Sequence, residues 1–315
     1  MKKNINNIFN LFLLSHLAIW TLVPFLSNKN LPLDTIEALA WGSNLDWGFE
    51  KHPPLSAFFS EFFYQIFGSQ DWAYYLLSQL FIIFSFIVIF KLAKEFLKNE
   101  NHALISVFLI EGIYFYNFTT PEFNVNVCQI PFWALTIYYA WQSFKNDKTH
   151  HWALFGLFAA LGVLSKYLFI YLLIGIKFFF IFYLIKKKKF SFNYFIPIIV
   201  FLLILSPHIM WLVENDFKTI TYGLKRTSLG VSAPLDHLIY PLKFLFKQII
   251  IISPFLLLFS LIIKNYKFKI KRSDEKSIFL IFIVLTPILL IFLTSLIFAA
   301  NIRSMWMTPF YLFFG

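Results

Sequence analysis

Charge is what this sequence has least of. Only 14% of its 315 residues are Asp, Glu, Lys or Arg, against 59% apolar and 22% aromatic, and the mean hydropathy is +0.70. Such a composition excludes an ordinary soluble domain and points to a polytopic membrane protein. Cysteine is nearly absent too. Cys128 stands alone in an apolar run, which excludes an intrachain disulfide and a thiolate metal cluster and says nothing about redox compartment. There is no internal repeat, no Gly/Ser linker and no segment with the composition of a soluble domain. The N-terminus, MKKNINN followed by an apolar stretch, resembles a signal peptide but lacks a small-x-small cleavage site, so it is read as a retained first span.

Acids are fewer than bases, 16 against 27, for a formal net charge of +11. An excess of that size suits nucleic acid, but the Lys and Arg cluster in short segments between apolar runs, as cytoplasmic loops do under the positive-inside rule. No nucleic-acid partner is expected, and the lysine runs read as topology signals. Threading the chain by that rule gives spans at about 5–26, 74–90, 103–118 and 125–144. Two more follow on either side of an outer turn at Ser165-Lys166-Tyr167, then spans at about 194–213, 237–263 and 278–300. A tenth apolar stretch, MWMTPFYLFFG, is too short to cross. Most of the basic residues then fall on the cytoplasmic side, at positions 2–3, 91–98, 145–148, 186–189 and 264–276, while most of the acids fall outside. The expected fold is therefore all-α: a helical membrane bundle of about nine to ten transmembrane helices. Its first outer loop, about 27–73, is long, and the spacing of Phe58, Phe59, Phe62, Phe63 and Phe67 predicts an interfacial helix there.

That loop contains DTIEALAWGSNLDWGFEKHPPL, from Asp34 to Leu55, a stretch that packing alone does not explain. It gathers Asp34, Glu37, Asp46 and Glu50 with Lys51, His52 and the Pro53-Pro54 break. Carboxylates on the outer face, near cations able to hold a phosphate, suit transfer of a group from a phosphorylated lipid to an acceptor hydroxyl. One acid would serve as base and Lys or Arg would stabilise the leaving phosphate.

Residue detail carries this further. Asp34 soon after the first span, the acid-rich loop and Lys51-His52-Pro53-Pro54-Leu55 resemble the first outer loop of the family 39 glycosyltransferases. This membrane-embedded class, of GT-C fold, includes protein O-mannosyltransferases and the lipid A aminoarabinose transferase. Thr120-Pro121-Glu122 resembles the family's second acidic turn, and GLFAALGVLSKY at 156–167 its Gly-rich span ending in Lys-Tyr. Pro207 with Trp211 and Asn215 resembles its Pro-x-x-x-Trp segment.

The resemblance implies transfer of a sugar from a polyprenyl-phosphate carrier, rather than directly from a nucleotide sugar, to a lipid A or lipopolysaccharide-type lipid or to a protein. The reaction would take place on the periplasmic face of a bacterial inner membrane, with the N-terminus cytoplasmic. By the same resemblance Asp34 is the catalytic base or acceptor-positioning acid. Glu37 and Glu122 are further catalytic candidates, and Lys51, His52, Lys166, Arg226 and Arg303 are substrate-binding candidates. The lipid-phosphate sugar is a co-substrate; a divalent metal stays open, although no metal-ligand spacing is present. Two departures stand out. Many members have Asp-Glu where this chain has Asp34-Thr35, the next acid being Glu37, and the sequence stops before the further spans and outer domain that many members carry. A single transmembrane domain over 1–315 is expected.

Each candidate has a plainer reading beside it. Asp34 also fits a loop acid or helix cap, Glu37 a partner for a lysine, His52 a turn residue, Glu122 a cap for the fourth span, and Lys166 a snorkelling lysine. A transporter or flippase of lipid-linked sugars is the competing function, and Glu111, Lys177 and His208 within spans are its evidence. A non-catalytic remnant is a third. The threading predicts that an impermeant thiol reagent on intact spheroplasts labels a cysteine placed at Ser43 and spares one at Ser191; the reverse pattern would invert the topology.

Overall fold

The computed structural model describes residues 2–188, 190–227, 233–263 and 274–315. Most of the expected basic cluster at 264–276, together with Lys189 and residues 228–232, lies outside the described residues, as do the side chains of Lys2 and Lys3. Among the described residues every regular element is helical.

The first span is α1 (Lys2–Ser27), and the connection after it is not loose: it folds into α2 (Leu33–Gly42) and α3 (Leu55–Phe67), a helix where the Phe spacing predicts one. Then come α4 (Asp71–Phe96), α5 (Glu100–Ile110), the single turn α6 (Val125–Cys128), α7 (Ile130–Asn146) and α8 (Thr149–Ser165). The remainder is α9 (Ile170–Lys187), α10 (Ile196–Glu214), the short α11 (Lys218–Arg226), α12 (Asp236–Ile263) and α13 (Glu275–Phe298). The tenth apolar stretch forms a 3-10 helix, Ser304–Tyr311, that folds into the protein and buries Met307, Pro309, Phe310 and Tyr311. Among the described residues six helices, α1, α4, α9, α10, α12 and α13, are long and apolar enough to cross a membrane, and α5 and α8 are shorter apolar helices. The chain is a multi-pass helical membrane protein.

Span three differs from its sequence expectation. A largely apolar run with Glu111 near its middle predicts a helix to about residue 118, yet α5 stops at Ile110 and the chain winds through turns and a short 3-10 segment, Tyr114–Tyr116, to Asn124. Irregular backbone beside lipid is tolerated only when its polar groups are satisfied from within the protein. Here they are. Asn117 Nδ2 donates to the Glu111 carbonyl at 2.7 Å, Tyr116 Oη donates to the Thr308 carbonyl at 2.7 Å, and Ser78 donates to the Thr120 carbonyl. Gln79 Nε2 of α4 donates to Thr120 Oγ1 at 3.0 Å. Apart from the local Asn117–Glu111 bond, these partners come from α4 and the 3-10 helix, far away in sequence, so hydropathy alone does not reveal the break.

Packing sets two ends. At the lysine-rich end, Glu95 of α4 accepts Trp141 Nε1 at 2.9 Å, Gln142 Nε2 at 2.7 Å and Lys145 Nζ at 2.6 Å from α7, while Lys276 of α13 donates to its carbonyl. Lys187 of α9 pairs with Glu275 of α13 at 2.7 Å. At the opposite end α2, the loop that follows it, α11 and the turns after α8 and α13 surround a cavity. Glu111, Lys177 and His208 do not share one path. Glu111 pairs with His16 of α1 at 2.5 Å, Lys177 lies on the exposed side of α9, and His208 of α10 is buried at the cavity end.

Candidate active site

The site begins with how α2 is seated. Its first-turn amides have no partner within the helix. Glu122 Oε1 accepts one of them, the Asp34 N–H, at 3.1 Å, and Thr35 Oγ1 donates to the Phe123 carbonyl at 3.1 Å. Glu122 thus caps α2 from a segment almost ninety residues away, whereas α6 is capped by Asn124, whose Oδ1 accepts the Asn126 and Val127 amides. Asp34 is left in the first turn of α2, where the helix dipole favours a carboxylate. Glu37 follows one turn later on the same side and pairs with Lys51.

The connection from Ser43 to Pro54 is held from the α10 side. A Cβ on Gly48 would overlap the Trp211 ring, so only glycine lets the loop lie against it. His208 Nδ1 donates to the Trp47 carbonyl at 2.6 Å, which makes Nε2 the acceptor for the Tyr167 hydroxyl at 2.7 Å. Thr219 of α11 donates to the Phe49 carbonyl at 2.5 Å, and Trp41 stacks on Phe49 with centroids 5.3 Å apart. His208, one of the intramembrane candidates for transport, is therefore part of a clamp.

Lys166 follows α8 in extended conformation. Phe169 folds back over Gly162, where a Cβ would meet its ring, and the tight return leaves Lys166 pointing inward. It is only 6% exposed and does not snorkel. Its ammonium donates to Asn126 Oδ1 and lies 5.3 Å from the centre of the Trp306 ring.

These pieces enclose a cavity of about 380 Å³, inside the range of about 300–1,000 Å³ usual for small-ligand sites. Asp34, Glu37, Lys51, His52, Lys166, Arg226 and Arg303 all line it, so seven of the eight site residues expected from the sequence meet in one place. Glu122 is the exception: it stands behind Asp34 and faces a lateral groove of about 580 Å³ with Trp20, Pro32, Tyr114 and Phe118. Arg226 and Arg303 are exposed at the rim. Tyr171, Thr219, Tyr222, Thr294 and Trp306 also line the cavity, and Asn126 holds Lys166 from behind. Sequence reasoning missed these. The basic and aromatic KTITYGLKR of α11 was a usable signal for Tyr222, but nothing local marks Asn126 or Trp306.

Electrostatics follow from burial. Burial raises the Asp34 pKa above the usual carboxylate range, as does the charge of Glu37, while Lys166, Lys51 and Arg226 pull it back. Glu122 is raised by burial and then by Asp34. His52 is lowered to about 3 by burial and by the nearby Lys166, Lys51 and Arg226, so its imidazole is neutral at neutral pH. Burial lowers Lys166 to about 7, opposed by the charge of Asp34. A carboxylate more basic than usual and an ammonium poised near neutrality thus share one enclosed space. Among the described residues no group of three His, Cys, Asp or Glu could hold a metal ion.

The sequence profile of the family described as dolichyl-phosphate-mannose-protein mannosyltransferase matches residues 51–211, half of the chain. The matched region contains Lys51, His52, Glu122, Lys166 and Trp211; Asp34, Arg226 and Arg303 lie outside it. Curated proteins and solved structures give no match. The clamp at Trp211 has a measurable consequence. Trp211→Ala should cost about 3 kcal/mol of stability, as large-to-small changes at buried aromatics do, and should open the Lys51 peptide bond to trypsin. An unchanged melting temperature with unchanged cleavage would mean that the loop is held by something else.

Proposed function

We propose that this chain, which belongs to the dolichyl-phosphate-mannose-protein mannosyltransferase family, moves a sugar from a polyprenyl-phosphate carrier to a hydroxyl of a lipid or protein acceptor. Membrate-embedded glycosyl transfer follows from the family; donor, acceptor and residue roles are this proposal. The observation that carries it is the placement of Asp34 and the buried Lys166 in one cavity.

An ammonium offers three N–H donors, and among the described residues the side-chain acceptor bonded to Lys166 is Asn126. A phosphate oxygen would complete its shell. Arg226 and Arg303 at the rim would take the remaining phosphate charge. Beyond the polar groups the wall turns apolar at Leu168, Ile170, Ile220, Leu224, Ile302 and Met305, which suits the start of an isoprenoid chain.

In the reaction, Asp34 accepts the proton of the acceptor hydroxyl as its oxygen attacks C1 of the sugar. The bond from C1 to the phosphate oxygen breaks, and the electron pair leaves with the phosphate, whose added charge Lys166 and the rim arginines stabilise. The products are the glycosylated acceptor and the polyprenyl phosphate; Asp34 then returns its proton to water. Its raised pKa makes Asp34 a better base than an exposed carboxylate. Glu122, bonded to its backbone, fixes the first turn of α2, and the Glu37–Lys51 pair closes the side. We place this cavity on the periplasmic side of a bacterial inner membrane, opposite the lysine-rich end, in keeping with the charge distribution.

Asp34→Asn keeps the shape and removes the base. On one preparation it should retain binding of a polyprenyl phosphate and lose about 10²–10⁴ in transfer rate, the usual contribution of a general base. Transfer within a few-fold of wild type would defeat the assignment.

A further inference from the structure

We propose that Asn126 is a positioning residue whose side-chain carbonyl fixes the Lys166 ammonium at the place where the donor phosphate is received. The inference rests on the reading of Lys166 as the phosphate contact and names what makes that contact possible.

Asn126 is 5% exposed and belongs to α6, a single helical turn that would wander if left to itself. It is held at both ends. Asn124 Oδ1 accepts the Asn126 amide at 2.8 Å, and Asn124 Nδ2 donates to Glu122 Oε2 at 3.2 Å. The other oxygen of Glu122 accepts the Asp34 amide. Residues 122–126 therefore connect the base to the cation through side-chain and main-chain bonds: Asp34 to Glu122, Glu122 to Asn124, Asn124 to Asn126, and Asn126 to Lys166. The separation of the two reacting ends is set by this short segment rather than by the long helices around it.

The chemistry of the acceptor matters as much as its place. A buried ammonium needs oxygen partners. A carboxylate in the position of Asn126 would satisfy the charge completely and compete with an incoming phosphate. A neutral amide oxygen orients the ammonium and leaves its charge available. It also leaves the ammonium poorly compensated, consistent with a pKa that burial brings down to about 7. The other titratable groups sharing the cavity are Asp34 and Glu37 of α2, Lys51 and His52 of the loop, Tyr167 and Tyr171, Tyr222 and Arg226 of α11, and Arg303. All are unchanged by substitution at Asn126, so a change in titration reports on the new neighbour.

The test is binding of farnesyl monophosphate to the purified full chain in micelles across a pH series, for wild type, Asn126→Asp, Asn126→Leu and Lys166→Met. Wild-type affinity should fall as pH rises through neutrality and Lys166 loses its proton. In Asn126→Asp the added carboxylate stabilises the ammonium, so the fall should move up by about one pH unit or more, while affinity at neutral pH drops about tenfold through competition. In Asn126→Leu the ammonium loses its acceptor, and the fall should move to lower pH. General damage to the fold cannot shift the midpoint in opposite directions. Should either variant fail to fold, Asn126→Ser, with a shorter side chain, is read for the same downward shift. Midpoints equal to wild type, with Lys166→Met abolishing the pH-dependent step, would overturn the role of Asn126 and leave Lys166 in place. A fall with rising pH that persists in Lys166→Met would instead remove the reading on which the inference rests; the second ionisation of the phosphate itself, at about pH 6, acts in the opposite direction.

Discussion

A lysine ammonium buried with, among the described residues, a single side-chain acceptor is the constraint on which the rest of this site depends. Lys166 is enclosed by the turn after α8, by Asn126 and by the Trp306 ring, and its field reaches both Asp34 and His52. Removing such a charge from water is expensive unless something compensates it. The fold supplies only part of that compensation, and in the function proposed above the donor phosphate supplies the rest. Asp34, across the same cavity, is the complementary case: a carboxylate whose burial makes it hold a proton more readily.

The surrounding architecture keeps these two groups apart and aligned. Asp34 sits on a helix too short to be stable alone, seated by Glu122 and Thr35 on the irregular segment that follows α5. That segment is in turn satisfied by Ser78 and Gln79 of α4 and by Tyr116 against the 3-10 helix. The loop between α2 and α3 is pressed onto α10 by Trp211 and His208. The Lys145–Glu95 and Lys187–Glu275 ion pairs, with the Lys276 bond to the Glu95 carbonyl, fasten the other end, where they bear on α4, α7, α9 and α13.

Much of this was legible in the sequence because charge is so rare in it. In an apolar chain each acid or base off the lysine-rich segments needs a reason, and following Asp34, Glu37, Lys51, His52, Lys166, Arg226 and Arg303 leads to one cavity. Helix type and most boundaries follow from hydropathy. What stayed hidden depends on tertiary partners. The end of α5 at Ile110 is set by bonds from residues near 78 and 308, which no local pattern shows. Asn126 and Trp306 are ordinary residues in apolar surroundings until Lys166 is placed beside them. Glu122, a catalytic candidate that also fits a cap for the fourth span, accepts an amide of α2, whereas Asn124 caps the helix that follows it.

The central claim is that the donor phosphate binds at Lys166 with its sugar toward Asp34. A structure of the full chain bound to a polyprenyl monophosphate tests it most directly. The account predicts a phosphate oxygen within hydrogen-bond distance of Lys166 Nζ, the Asp34 carboxylate facing the space where the sugar would sit, and the isoprenoid chain leaving past Ile170. Phosphate density outside this cavity, for instance in the groove lined by Trp20, Tyr114 and Phe118, would contradict it.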